Sequence, residues 1–256
     1  MIKSRFLQIP TINLIDLEKD AALLKRFDEK YLVDTDHIEN FLSESSSNLS
    51  ILQIDKLREF QYSSTYYDSE SLTSWRNHIQ GKRRRFKCRV REYSNSNDSF
   101  VEVKLKGNKG ETIKSRKRLN ASLDSSKLRN YLDSVLLSMG YSRYEEELVP
   151  VLQVNYKRKT FLASVTNEKI TVDSEIWFHN LLNDASENLG ENVHILEIKS
   201  NRIDSNFRAT LLKQGNRPSS LSKYILGTVL TNPNVSKNLY LPLIRSLSKI
   251  RNNASA

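Results

Sequence analysis

Lysine and arginine recur at every second position in several segments of this chain, the spacing that chemistry on a polyanion would need. In RRRFKCRVREY (residues 83–93) Lys87, Arg89 and Arg91 alternate with Phe86, Cys88 and Val90. In SFVEVKLKG (99–107) Glu102, Lys104 and Lys106 alternate with Val101, Val103 and Leu105, and TIKSRKRL (112–119) brings Lys114, Arg116 and Arg118 together. A period of two places such residues on one face of a β-strand. Lys30, Arg158, Lys169 and Lys199 lie in further segments of β-forming residues, and a few acids (Asp28, Glu102, Asp173, Glu197) fall in the same pattern. Taken alone, each strand reads as half-buried with its charged face in water. Their sum is unusual, because a sheet lined by so many like charges repels itself unless something anionic lies against it. Phosphate oxygens call for converging Arg forks and Lys point charges. The acids suit a divalent metal that the phosphates also bind.

Other chemistries find little support. Cys88 is the single cysteine, which excludes intramolecular disulfides and any site with two Cys ligands from one chain. The four histidines (His37, His78, His179, His194) show no ligand spacing, and the patterns GxxxxGK[ST], GxGxxG and GxSxG are all absent. Lys plus Arg total 40 against 30 Asp plus Glu, a net charge of +10 that asks for a polyanionic partner. With 256 residues, 38% of them hydrophobic, the chain is long enough for one folded domain or two small ones. No apolar run reaches the roughly 18 residues needed to span a bilayer. Pro10, Asn13 and Asp16 interrupt any signal-peptide core, so a cytoplasmic location without a membrane anchor is expected.

The elements that must hold the basic residues follow from pattern. A leader, residues 1–23, carries a short amphipathic helix near 12–24. A strand over 26–33 leads into a helix capped by Asp34 or Thr35, and 45–50 is a polar break. Strands are predicted over 61–68, 83–93, 99–107, 112–119, 150–161, 168–178 and 193–201, with a GNKG turn at 107–110. Helices are predicted over 69–81, 122–140, 219–230 and 239–250. Leu128, Leu132, Val135, Leu136 and Met139 give the second its apolar stripe. About eight strands with flanking helices make an α+β fold on a large antiparallel sheet or closed β-barrel. Residues 24–232 would form the main domain, and 233–256 a basic amphipathic C-terminal helix. With charged faces inward, such a barrel is a basic tunnel.

RFDEKYLV, YYD, FKCRVREY, FVEVKLKG, NYKRKTF, KITVD, ILEIKS and LSKYILG occur in the order seen in the VTC domain. That is the polyphosphate polymerase domain of the vacuolar transporter chaperone complex and its prokaryotic stand-alone relatives. It belongs to the triphosphate tunnel metalloenzymes, related to CYTH proteins. The resemblance covers roughly residues 25–230 and implies an eight-stranded antiparallel tunnel, with ATP as substrate and Mn²⁺ or Mg²⁺ as cofactor. The activity implied is transfer of the ATP γ-phosphate to phosphate or a growing polyphosphate chain. Carried onto this sequence, it assigns Lys30, Arg89, Arg91, Lys104, Lys114, Arg158, Lys169, Lys199 and Lys223 to catalysis. Arg89, Arg91, Lys104, Arg158 and Lys169 would bind the triphosphate, Lys30 and Lys223 would guide the acceptor, and Glu197, Asp28, Glu102 and Asp173 are the metal candidates. Asp28 stands where Glu is usual, one methylene shorter, and Lys169 stands where Arg is commoner, without bidentate geometry.

Three alternatives stay open: a tripolyphosphatase or nucleoside triphosphatase with water as acceptor, a polyphosphate- or nucleotide-binding module without turnover, and a nucleic-acid-binding protein motivated by charge alone. No nucleic-acid partner is expected, since no RNP-type motif accompanies the aromatics Tyr93, Phe100 and Tyr156. A membrane protein that receives the product is a possible partner not encoded here. GKRRR (81–85) reads as a tunnel mouth or solvated strand end, and Cys88 as core. Asp68 has a hydrogen-bonding or a metal role, and the helix over 239–250 packs on the barrel or touches an anionic membrane.

Overall fold

A computed structural model describes residues 8–20, 27–107, 112–119, 124–201 and 205–253. Its elements in chain order are β1 (Thr11–Ile12), α1 (Leu14–Asp20), β2 (Phe27–Asp34), α2 (Thr35–Ser45), β3 (Ser50–Leu52), β4 (Phe60–Asp68), α3 (Thr73–Ile79), β5 (Arg85–Tyr93), β6 (Asp98–Lys106), β7 (Thr112–Leu119), α4 (Ser125–Ser138), β8 (Val149–Ala163), β9 (Glu168–Asn180), β10 (Ser186–Asn188), β11 (Val193–Ser200), α5 (Asn206–Lys213), α6 (Lys223–Thr231) and α7 (Leu241–Asn253). The GNKG turn after Gly107 and the end of the predicted leader helix lie outside the described residues. Asp34 caps α2 by accepting a hydrogen bond from the His37 N–H, as the sequence suggests.

Eight strands pair in the order β2–β11–β9–β8–β4–β5–β6–β7, every contact antiparallel. β2 and β7 stand at the two ends, and among the described residues no ladder joins them, so the barrel expected from sequence has a seam. The ends nonetheless approach each other. Lys104 on β6 feels Lys30 and Asp28 on β2, and Lys114 on β7 feels Lys199 on β11. Strands at opposite ends of the pairing order can share electrostatics only if the sheet curls into a tunnel.

Strand alternation sorts the residues. On the outer face, Tyr31, Val33, Ile170, Val172, Leu196 and Ile198 pack under α2 and α5. Cys88, Val101, Val103 and Leu105 pack under Leu128, Leu132, Val135 and Leu136 of α4. The inner face is part polar and part apolar. Leu152, Val154, Phe178 and Ile195 form one core with Tyr224, Ile225, Leu226 and Val229 of α6 and with Leu247 of α7. The C-terminal helix therefore packs on the sheet, and Leu247 is 1% exposed.

The change from polar to apolar inner face along β9 depends on a bulge. Three steps along β9, Ser174 to Trp177, match two along β8, Lys157 to Asn155. Glu175 takes a left-handed φ of 50° there. The inner set consequently switches from Lys169, Thr171 and Asp173 to Phe178, opposite Val154.

Candidate functional site

Cross-strand register assembles the polar inner face. Lys30 lies opposite Glu197 and Asp28 opposite Lys199; Glu197 and Lys199 in turn face Thr171 and Lys169. Asp173 faces Arg158. Across β5 and β6, Lys87 faces Lys104 and Arg89 faces Glu102; the latter two β6 residues face Lys114 and Arg116 of β7. Lys223 joins from the first position of α6. All thirteen residues assigned from sequence thus fall on one face or its helical cover. Lys87 and Arg116 share that face by the same period of two, although no role was attached to them.

Three acids organise the cations. Glu102 accepts from Arg89 Nε at 2.7 Å, with Lys114 Nζ at 3.4 Å, Arg116 Nε at 3.7 Å and Arg91 Nη1 at 3.9 Å. Burial opposes its ionisation, but Arg89 above all, then Arg91 and Lys114, hold it well below the usual carboxylate range. Asp173 is 1% exposed and takes Arg158 Nε on Oδ1 at 2.5 Å, Arg158 Nη2 on Oδ2 at 2.8 Å, and the Lys223 ammonium on Oδ2. Against the same burial penalty, Arg158 and Lys223 bring it down to about 2. Glu197 lies 3.7 Å from both Lys30 and Lys199, ion pairs too long for hydrogen bonds, and these lysines keep it ionised despite burial.

The four candidate metal ligands are therefore not one cluster. No group of three or more His, Cys, Asp or Glu side chains placed to hold a metal occurs among the described residues. Both Asp173 oxygens are occupied by cations from two elements, and Glu102 is surrounded by four, so these two anchor basic side chains. Glu197 fits a metal better. Its carboxylate is ionised without a hydrogen-bonded cation, and a hard divalent ion on a polyphosphate needs only one or two protein carboxylates beside phosphate oxygens. Asp28, on the neighbouring strand, acts on Lys104 as Glu197 does.

Aromatic rings form the floor beneath the cations. Tyr62 and Tyr156 stack at 5.2 Å, and Arg158 lies 5.4 Å and 5.3 Å from their centroids. Arg91 sits 5.6 Å over Tyr62, Arg89 5.7 Å over Tyr66, and Lys223 Nζ 4.6 Å over Tyr156. Each ring holds a cation at its face without neutralising it. Arg116 lies 3.6 Å over Phe100, which makes that ring part of the tunnel wall. Arg158 and Tyr156 sit two residues apart on β8, whereas the other ring contacts join residues from different elements, a pairing the sequence alone does not show.

Asp68 has a structural role. It is fully buried and accepts from the backbone N–H groups of Ser69, Ser74 and Trp75 and from the Tyr224 hydroxyl at 2.6 Å. It ties the end of β4 to the start of α3 and to α6. Burial pushes its pKa up, although these donors stabilise the charge.

Among the described residues, three inner-face lysines, Lys87, Lys104 and Lys169, have no carboxylate within ion-pair distance. Lys169 is lowered to about 8, by burial first and then by Lys199. Lys87 is lowered to about 7, by burial first and then by Lys104 and Lys30, and among the described residues its ammonium donates only to Ser222 Oγ, at 3.1 Å.

An antiparallel sheet curled around a basic interior pinned by a few acids is the triphosphate tunnel fold. The chain belongs to the VTC domain family, whose model matches residues 25–232. Among solved structures, it is similar to HpAC1 of Hippeastrum, a proposed adenylyl cyclase with a dominant triphosphatase activity. The identity is 12%, with 82% of this chain and 98% of the other covered at a TM-score of 0.50. A proposed adenylate cyclase from Vibrio parahaemolyticus aligns at 17% identity over 78% of this chain and 97% of its own, with a TM-score of 0.44. No curated protein matches the sequence. Among the described residues, no helix is long and apolar enough to cross a membrane.

Proposed function

We propose that the protein is a metal-dependent phosphotransferase that moves the γ-phosphoryl group of ATP to phosphate or to a growing polyphosphate chain. One observation carries this reading. Eleven basic residues (Lys30, Lys87, Arg89, Arg91, Lys104, Lys114, Arg116, Arg158, Lys169, Lys199 and Lys223) share an inner face with four acids. That surplus exceeds what a triphosphate alone would balance, and an anionic acceptor accounts for the remainder. Water as acceptor would leave it unused.

Phosphoryl transfer is mostly positioning and charge stabilisation, so no covalent nucleophile is required. Arg89, Arg91, Lys104, Arg158 and Lys169 would neutralise the triphosphate oxygens, with Glu102 and Asp173 holding the arginine forks in place. Lys30 and Lys223 would guide the acceptor. Glu197 would hold Mn²⁺ or Mg²⁺ against the phosphates. When bound, such an ion supplies further charge neutralisation at the transferring group.

The test is to incubate the protein with γ-labelled ATP and Mn²⁺ or Mg²⁺ and to separate the products on a polyacrylamide gel beside Arg89→Ala. A metal-dependent ladder of long phosphate chains, lost in the variant, is expected. Labelled orthophosphate alone would replace the polymerase with a triphosphatase, the dominant activity of HpAC1.

A further inference from the structure

Most tunnel cations have a carboxylate near them. Glu102 serves Arg89, Arg91, Lys114 and Arg116, Asp173 serves Arg158 and Lys223, and Glu197 serves Lys30 and Lys199. Lys104, Lys169 and Lys87 have no such partner among the described residues, but Asp28 and Glu197 still act on Lys104 and Glu18 on Lys169. Lys87 differs: the charges that act on it most strongly are all cations, Lys104 (its cross-strand partner), then Lys30, Arg85 and Arg89. Directly opposed like charges destabilise a strand pair.

Among the described residues, the one hydrogen bond of the Lys87 ammonium goes to Ser222, the residue before α6. Serine in that position ordinarily accepts a hydrogen bond from its own helix, but the Ser222 side chain caps nothing. The first N–H groups of α6 therefore lack a side-chain cap beside an uncompensated ammonium, and both favour an anion.

We propose that Lys87 and Ser222, with Lys30 beside them, form a subsite for the phosphate group of the acceptor, adjoining Lys104 of the set that holds the triphosphate. The proposal rests on the phosphotransferase reading and gives that reaction its second substrate position. The ligand is a phosphate oxyanion, supplied by orthophosphate or by the end of a polyphosphate chain. Its attacking oxygen is already anionic. A new O–Pγ bond forms, the Pγ–O bond to ADP breaks with its electron pair leaving on ADP, and no base is needed.

The test uses calorimetry on the full chain saturated with Mg²⁺ and a non-hydrolysable ATP analogue. Orthophosphate is titrated in one arm and tripolyphosphate in another. Lys87→Met and Ser222→Ala are each expected to weaken binding of the second anion by at least about tenfold, the worth of one charge-assisted hydrogen bond. Affinity for the analogue should stay within about threefold, and Lys87→Arg should retain binding of the second anion. Lys87→Met removes a self-repelling charge, so it is expected to fold. Which probe responds names the source: orthophosphate alone means free phosphate, and both mean a chain end. Unchanged binding in both variants, or an equal loss for the analogue, overturns the subsite. A gel without a ladder alongside a responsive subsite would instead reject the polymerase reading and leave a product-phosphate site.

Discussion

The Arg158 guanidinium grips Asp173 through two parallel hydrogen bonds, Nε to Oδ1 at 2.5 Å and Nη2 to Oδ2 at 2.8 Å, between directly opposed residues of neighbouring strands. Lys223, from a helix fifty residues further on, adds its ammonium to the same carboxylate. Removing the acid would leave two cations facing each other with the burial cost still in place. Asp173→Asn is therefore expected to lose about 3–5 kcal/mol of stability in urea unfolding, the range for breaking a buried pair. Saturating tripolyphosphate should restore more stability to the variant than it adds to the native chain. A variant as stable as the native protein would remove Asp173 from its anchoring role.

Glu197 is expected to behave differently from Asp173. In Glu197→Gln, metal-dependent turnover should fall by roughly two orders of magnitude, as for loss of a group that holds a catalytic cation. Tripolyphosphate binding measured in EDTA should tighten, because a negative charge has left the tunnel. Weaker binding in EDTA would mean that Glu197 acts by ordering lysines and not by holding metal.

Burial and neighbouring cations lower Lys87 to about 7 and Lys114 and Lys169 to about 8. An unfolded chain keeps these lysines protonated up to about 10.4, so it binds more protons than the folded state across roughly pH 7 to 10. Stability of the ligand-free protein should rise with pH over that window as the lysines shed their charge. A bound polyanion reverses the shift. Tripolyphosphate binding at pH 8 should therefore take up protons, on the order of two per site. Calorimetry in buffers of different ionisation enthalpy measures this directly, and binding heats independent of buffer would contradict it.

Gly227 gives α6 its close approach to the sheet. A Cβ there would come within 2.5 Å of Phe178 Cδ1 and 2.8 Å of Leu152 Cδ2. Gly227→Ala gains about 1 kcal/mol of helix propensity but overpacks this contact at a cost of about 1–3 kcal/mol. A lower melting temperature is expected, together with weaker polyanion binding as Lys223 is carried away from Asp173. A melting temperature at or above the native value would show that the core yields freely.

Much of this was legible in the residues because a period of two writes both faces of a strand at once. Phe86, Cys88 and Val90 announce the outer core, and Lys87, Arg89 and Arg91 the tunnel wall. Lys223 came from family resemblance, since it does not sit in an alternating basic run. Pairing was not legible. That Asp173 and Glu102 would be taken up by arginines and lysines depends on register between strands, and Lys87 meets Ser222 across 135 residues. The bulge at Glu175, which turns Phe178 inward, has no glycine or proline to mark it. Helix α5 was not foreseen either, because only Phe207 and Leu211 anchor its eight residues to the core.

The surplus of cations over acids on the inner face also bears on how long the chain survives. Empty, the tunnel pushes its own walls apart; filled, the same side chains are neutralised and their strands drawn together. The substrate thus completes the interior in the way a structural zinc completes a small domain, and its free energy of binding adds to that of folding. Proteases that catch transiently opened protein would clear the empty form first. Phosphate supply would then set the amount of this protein as well as its work, with no dedicated sensor required.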